Sequence, residues 1–156
     1  MVADDTDGRD FARVLDGSGL RVLCTDDFTT RAWRKLLLNV MVNPVTALTL
    51  QRQSVTRRPD VHALCLDILA EAVSVARADG ARLHDDEPAR IMNALHAAPE
   101  GLGTSMYFDR LAAGRRLEIE ALTGALVAAA DRYGLPVPLN RALLVLCRAV
   151  SDAAAG

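Results

Sequence analysis

The sequence predicts an all-α domain of six or seven helices. Three observations carry that expectation. Apolar residues recur at intervals of three and four, most regularly at Val61, Leu64, Cys65, Ile68, Leu69, Ala72 and Val75. Helix punctuation brackets such stretches, with Pro59 near one start and Gly80 and Gly134 at two stops. Strand-like alternation is almost missing, while 156 residues that are 51% hydrophobic suffice for one buried core.

Each element follows from local signals. A short amphipathic segment near Asp10–Leu15 leads into "GSGLRVLCTDD", where Leu20–Cys24 is the one strand-like piece between turn residues. Thr29 and Thr30 are candidate N-caps for the next helix, which is expected to run to Asn43 and to stop or kink at Pro44. "VTALTL" then resumes as a shorter helix. Pro59 opens a long core helix that ends at Gly80, and shorter helices are expected at about Asp85–Ala97 and Ser105–Ala112. A long helix at about Glu118–Tyr133 and a last one at about Leu139–Val150 complete the chain. Trp33 reads as a packing anchor.

Bulk properties exclude several classes. With 18 Lys+Arg against 20 Asp+Glu, a net charge of -2 and 4% aromatic residues, neither a basic patch nor a stacking platform for nucleic acid is present. Cys24, Cys65 and Cys147 are widely spaced and form no C-x-x-C pair, so they are expected to be buried thiols in a reducing compartment. The acidic N-terminus lacks an apolar signal core, and no apolar run reaches the ~18–20 residues of a membrane span. These features predict a cytoplasmic protein. His62, His84 and His96 have no metal-ligand spacing.

One stretch stands apart. In "WRKLLLNVMVNPVTAL", Lys35, Asn39 and Asn43 recur every four residues, which stacks them on one face of an otherwise apolar helix. Buried polar groups need partners, so this stripe is either a solvated edge or a site. An ammonium flanked by neutral amides suits a reaction that builds negative charge on a carbonyl oxygen, because lysine can stabilise that charge and then donate a proton. Other motifs are weaker. "GSGLRV" has two of the three glycines of a dinucleotide fingerprint and precedes its strand, and "GLGTSM" is a helix entry that could also expose amides to an anion. Neither a P-loop nor an H-E-x-x-H motif occurs.

Taken in order, "WRKLLLNVMVNPVTAL", "TSMYFDRLAAGRRLEIEALTGAL" and "GLPVPLNRAL" resemble the C-terminal helical domain of ketopantoate reductases (2-dehydropantoate 2-reductases), over about Gly19 to Val150. The resemblance implies a ketopantoate-reductase-type helical domain, related to that of 6-phosphogluconate dehydrogenase, over residues 28–152. Residues 1–27 are similar to the end of the preceding Rossmann domain and its linker. It further implies reduction of ketopantoate to pantoate by NADPH, a step of pantothenate and coenzyme A synthesis. Lys35 matches the proton-donating lysine, Asn39 and Asn43 the asparagines of the same face, Ser105 the serine that holds the substrate carboxylate, and Glu118 the glutamate that accepts from the substrate hydroxyl. The sequence departs from the family pattern by one extra residue between Asp109 and Gly114, which makes Glu120 the alternative to Glu118.

Two readings follow. In one, the chain is the substrate side of a reductase that needs a Rossmann domain in cis or in trans to bind NADPH, takes a small 2-oxo acid, and forms a homodimer. In the other, it is an inactive truncated homologue that serves as a helical interaction module. Asp109 and the Arg115–Arg116 pair are expected to be a helix-end charge and a solvated turn.

Overall fold

The computed structural model describes residues 1–112 and 115–155. Seven α-helices dominate it, as expected: α1 (Thr6–Val14), α2 (Phe28–Thr49), α3 (Pro59–Ala78), α4 (Glu87–Ala97), α5 (Ser105–Leu111), α6 (Ala125–Tyr133) and α7 (Pro138–Ala155). A 3₁₀ turn, Gln53–Arg57, follows α2, and a π turn, Glu120–Gly124, runs into α6. The long helix expected from Glu118 therefore begins with a widened turn.

The N-terminal segment differs from expectation. Two two-residue strands, β1 (Val2–Ala3) and β2 (Cys24–Thr25), pair in parallel, with α1 between them in the chain. The anticipated strand at Leu20–Cys24 is thus shorter and later, and β1 is too brief for any period to show. Gly8 lets α1 close on β1, since a Cβ there would lie 1.9 Å from the Ala3 carbonyl oxygen. Cys24 sits exposed on this small unit, contrary to expectation.

The second correction concerns α2, which runs unbroken through Pro44. Proline in a helix interior costs about 3 kcal/mol, yet Val40 through Ala47 are all buried and α2 packs against α3, α5 and α7. Packing outweighs propensity there. Thr46 and Thr49 support the turns after Pro44 by donating their hydroxyls to the carbonyls of Val42 and Val45, at 2.9 and 2.7 Å. The N-cap is Asp27, not Thr29 or Thr30. Thr30 lies inside the first turn, where its Oγ1 accepts the Arg82 amide at 2.8 Å.

The core centres on Leu37 and Met41 of α2, Ile68 and Leu69 of α3, Met106 of α5 and Leu126 of α6, all fully buried. Cys65 and Cys147 lie within it, and burial pushes their thiols up to about 11 and about 12. Leu64 lies outside it and is exposed, because the apolar period of α3 turns away from the core at that residue.

Single carboxylates tie the helix ends together. Glu71 of α3 accepts the Leu139 and Asn140 amides, each at 3.0 Å, which occupies two donors that the first turn of α7 leaves free. Glu87 accepts Arg34 Nε at 2.7 Å and the His84 amide at 3.2 Å. Burial pulls the Glu87 carboxyl upward, but the bonds from Arg34 and His84 outweigh it and hold it below its usual value. Asp79, just past α3, accepts Tyr133 Oη at 2.7 Å and Trp33 Nε1 at 2.9 Å, with Arg132 at 3.6 Å. Trp33 is buried as an anchor and is also bonded.

Tyr133 and then Trp33 hold Asp79 below the usual carboxylate range. A depressed folded pKa contributes stability above the unfolded value of ~3.9, and that contribution disappears as pH falls through the folded value. Asp79→Asn should therefore lower stability at pH 7 by about 1–2 kcal/mol. It should also flatten the loss of stability below about pH 4. Urea unfolding at a series of acidic pH values checks both, and an unchanged acid limb in the variant would contradict this role.

Candidate active site

The polar stripe occupies one face of α2, and its burial is graded. Lys35 is exposed, Asn39 is half-buried and Asn43 is 5% exposed. Their side chains form no hydrogen bond or ion pair with one another or with other described residues. Asn43 lies at the buried end of the stripe. The face thus presents a cation at its exposed end and amides that are more buried further along.

The stripe continues one turn further than the sequence suggested. Thr46, three residues after Asn43, is fully buried and its Oγ1 lies 2.6 Å from Thr104 Oγ1. Thr104 is the N-cap of α5, where its Oγ1 accepts the Tyr107 amide at 3.1 Å. Ser105 follows directly as the first residue of α5 and is exposed. A hydroxyl pair therefore links the Asn43 end of the stripe to the Ser105 backbone. Neither threonine was singled out from sequence, although Thr46 obeys the helical spacing and Thr104 occupies a capping position.

Glu118 is exposed between buried Leu117 and Ile119, just before the π turn that packs on α2. No hydrogen bond or ion pair joins it to the stripe or to Ser105 among the described residues. Its alternative, Glu120, is already engaged: Arg148 of α7 grips it at 2.5 and 2.7 Å and holds it below its usual pKa. Glu118, by contrast, has no side-chain hydrogen bond or ion pair among the described residues. The proposed extra residue falls next to Ala113 and Gly114, which lie outside the described residues. Asp109, near the end of α5, is buried and pairs with Arg115 at 3.2 Å, while the Arg115 side chain itself stays exposed. Arg116 does point to solvent, 3.8 Å from Asp152.

The residues present do not fit a dinucleotide. The turn from β1 into α1 is "DDTDG", whose carboxylates would oppose a pyrophosphate, and Asp5 already caps the helix by accepting the Gly8 amide at 2.8 Å. Gly17 and Gly19 serve a turn between α1 and β2, and Thr104 caps α5 after "GLG". No cluster of three metal-ligating side chains occurs among the described residues.

Comparison with known proteins agrees with this architecture. The family described as "Ketopantoate reductase PanE/ApbA C terminal" matches residues 27–151, and the chain belongs to that family. It is 44% identical over 142 residues to a 2-dehydropantoate 2-reductase of Mycobacterium tuberculosis, covering 91% of this chain and 48% of the relative. A 2-dehydropantoate 2-reductase of Caulobacter vibrioides is 32% identical over 144 residues, covering 92% and 49%. The chain spans about half the length of the relatives it matches. Among solved structures, a dimeric ketopantoate reductase from Staphylococcus aureus superposes with a TM-score of 0.87 at 27% identity, over 97% of this chain and 52% of that one. A PanE/ApbA family ketopantoate reductase from Ralstonia eutropha gives 0.84 at 32% identity, over 99% and 52%.

Because the glycine turns lack a phosphate cradle, the isolated 156-residue chain is expected not to bind NADPH with micromolar affinity. Titration calorimetry checks this, and a micromolar dissociation constant would overturn it.

Proposed function

We propose that this chain is the substrate-binding and proton-donating half of an NADPH-dependent 2-oxo acid reductase, with ketopantoate as substrate and pantoate as product. The observation that supports it is the open Lys35–Asn39–Asn43 face, linked through Thr46 and Thr104 to Ser105. As the carbonyl carbon is reduced, negative charge grows on its oxygen. The Lys35 ammonium stabilises that charge and delivers the proton. Asn39 and Asn43 orient the substrate with neutral donors, Ser105 binds its carboxylate, and Glu118 accepts from its hydroxyl.

NADPH supplies the hydride, and in this reading a Rossmann domain in cis or in trans holds it. Residues 1–27 are then the end of such a domain and its linker, consistent with the parallel β1–α1–β2 unit, and residues 28–152 are the helical domain. No helix among the described residues is long and apolar enough to cross a membrane, and we place the enzyme in the cytoplasm.

The same reading includes a homodimer. Ala142, Val145, Leu146 and Ala149 are exposed on α7 at the spacing of one helical face. The Arg141 and Arg148 side chains beside that face are neutralised by Asp131 and Glu120. The Staphylococcus aureus relative is itself a dimer. Light scattering should give a dimer, and Leu146→Glu should shift it to monomer. A wild-type monomer at high micromolar concentration would remove this part of the reading.

In a full-length or reconstituted enzyme, Lys35→Ala should lower turnover by roughly 10²–10⁴-fold, the range for a lost general acid, with NADPH affinity unchanged. Glu118→Ala should chiefly raise the ketopantoate KM. The rate of NADPH oxidation is the assay for both. Wild-type turnover in the lysine variant would reduce the relationship to ancestry alone.

A further inference from the structure

The Thr46–Thr104 contact does more than join two helices, because its hydrogen-bond directions are determined. Thr46 Oγ1 lies 2.9 Å from the Val42 carbonyl and 3.1 Å from the Asn43 carbonyl. Carbonyls only accept, so the Thr46 proton points to them. Thr104 Oγ1 receives the Tyr107 amide, and its own proton remains free for Thr46. The result is one directional chain: Tyr107 N–H to Thr104, Thr104 O–H to Thr46, and Thr46 O–H to the carbonyls of Val42 and Asn43. Thr46 is fully buried and Thr104 is 6% exposed, so water cannot take either place without cost.

We infer that Thr46 and Thr104 are positioning residues that set the Ser105 hydroxyl against Asn43, and so determine how tightly the carboxylate end of the 2-oxo acid is held. This rests on the reductase reading above. The chain runs between the backbone carbonyl of Asn43 and the amide of Tyr107, two residues after Ser105, so it joins the backbone segments that carry the two proposed ligand side chains. Neither threonine touches the reacting carbonyl. Losing the link should loosen ground-state binding of the acid while leaving proton delivery by Lys35 intact.

The test uses full-length or reconstituted enzyme. Thr46→Val keeps the shape and removes the hydroxyl, and it should raise the ketopantoate KM about 10-fold while kcat and the NADPH KM change less than about 2-fold. Thr104→Val should do the same, and Thr104→Ser, which keeps both the cap and the donor, should restore the wild-type KM. Hydrogen exchange at the Tyr107 amide should accelerate in Thr46→Val. If the wild type turns over and Thr46→Val keeps its KM, or if the Tyr107 amide exchanges at the wild-type rate, the positioning role is wrong although the reductase reading stands. A wild-type enzyme without turnover removes the reading, and with it this role.

Discussion

The structure depends on one helix that must be buried on most of its circumference while leaving a polar face usable. Eight consecutive residues of α2, Val40 through Ala47, are buried, which is more than two turns without a solvent-facing side. Within such a stretch every hydroxyl needs a partner inside the protein. Thr46 finds carbonyls of its own helix and the hydroxyl of Thr104, the N-cap of α5, and this contact joins α5 to α2. Ser105 follows the threonine that makes this contact, so the start of α5 is tied to α2 there. Pro44 is tolerated for the same reason: contacts on all sides hold the helix where its own backbone bond is missing.

Away from α2 the fold relies on carboxylates placed where donors would otherwise go unpaired. Glu71 meets the first-turn amides of α7, Glu87 takes a forked guanidinium and an amide, and Asp79 collects an indole, a phenol and a guanidinium. Each joins segments far apart in sequence. Ionised carboxylates accept several bonds at once, and such bonds are stronger than neutral ones. Asp79 and Glu87 are both held below their usual pKa values, so protonation in acid withdraws support from the C-terminal end of α3 and the start of α4 together.

The helical architecture was legible in the sequence because most helices carry both a period and a boundary signal. Pro59, Gly80 and Gly134 mark ends that the structure retains within a residue or two. The failures have identifiable physics. Pro44 was expected to interrupt α2 because propensity is local, whereas the packing that overrides it comes from helices remote in sequence. Thr30 resembled a cap, but its hydroxyl serves the Arg82 amide, which is 52 residues away. The strands are too short for alternation to show, and the π turn at Glu120–Gly124 has no period of its own. In the candidate site, Lys35, Asn39 and Asn43 were visible because one helix carries them, and Ser105 and Glu118 only through family resemblance. Thr46 and Thr104 were invisible as a pair, since 58 residues separate them and either alone is an ordinary threonine.

The gradient along the stripe is the arrangement that electrostatics favours. A lysine ammonium is expensive to desolvate, and it sits at the exposed end, where water still solvates it. Neutral amides cost less to bury, and Asn43 occupies the deep end. In the proposed reductase, a nucleotide domain closing over this face would strip water from Lys35 only once a substrate carbonyl is there to take its proton. Charge on that oxygen would then replace the lost hydration, and the attraction between ammonium and oxyanion would strengthen as the local dielectric falls. A stripe with the lysine at the buried end would pay the desolvation cost in the resting protein. In the proposed reductase, placing it at the open end would defer that cost to the moment of reaction, when a compensating charge forms beside it.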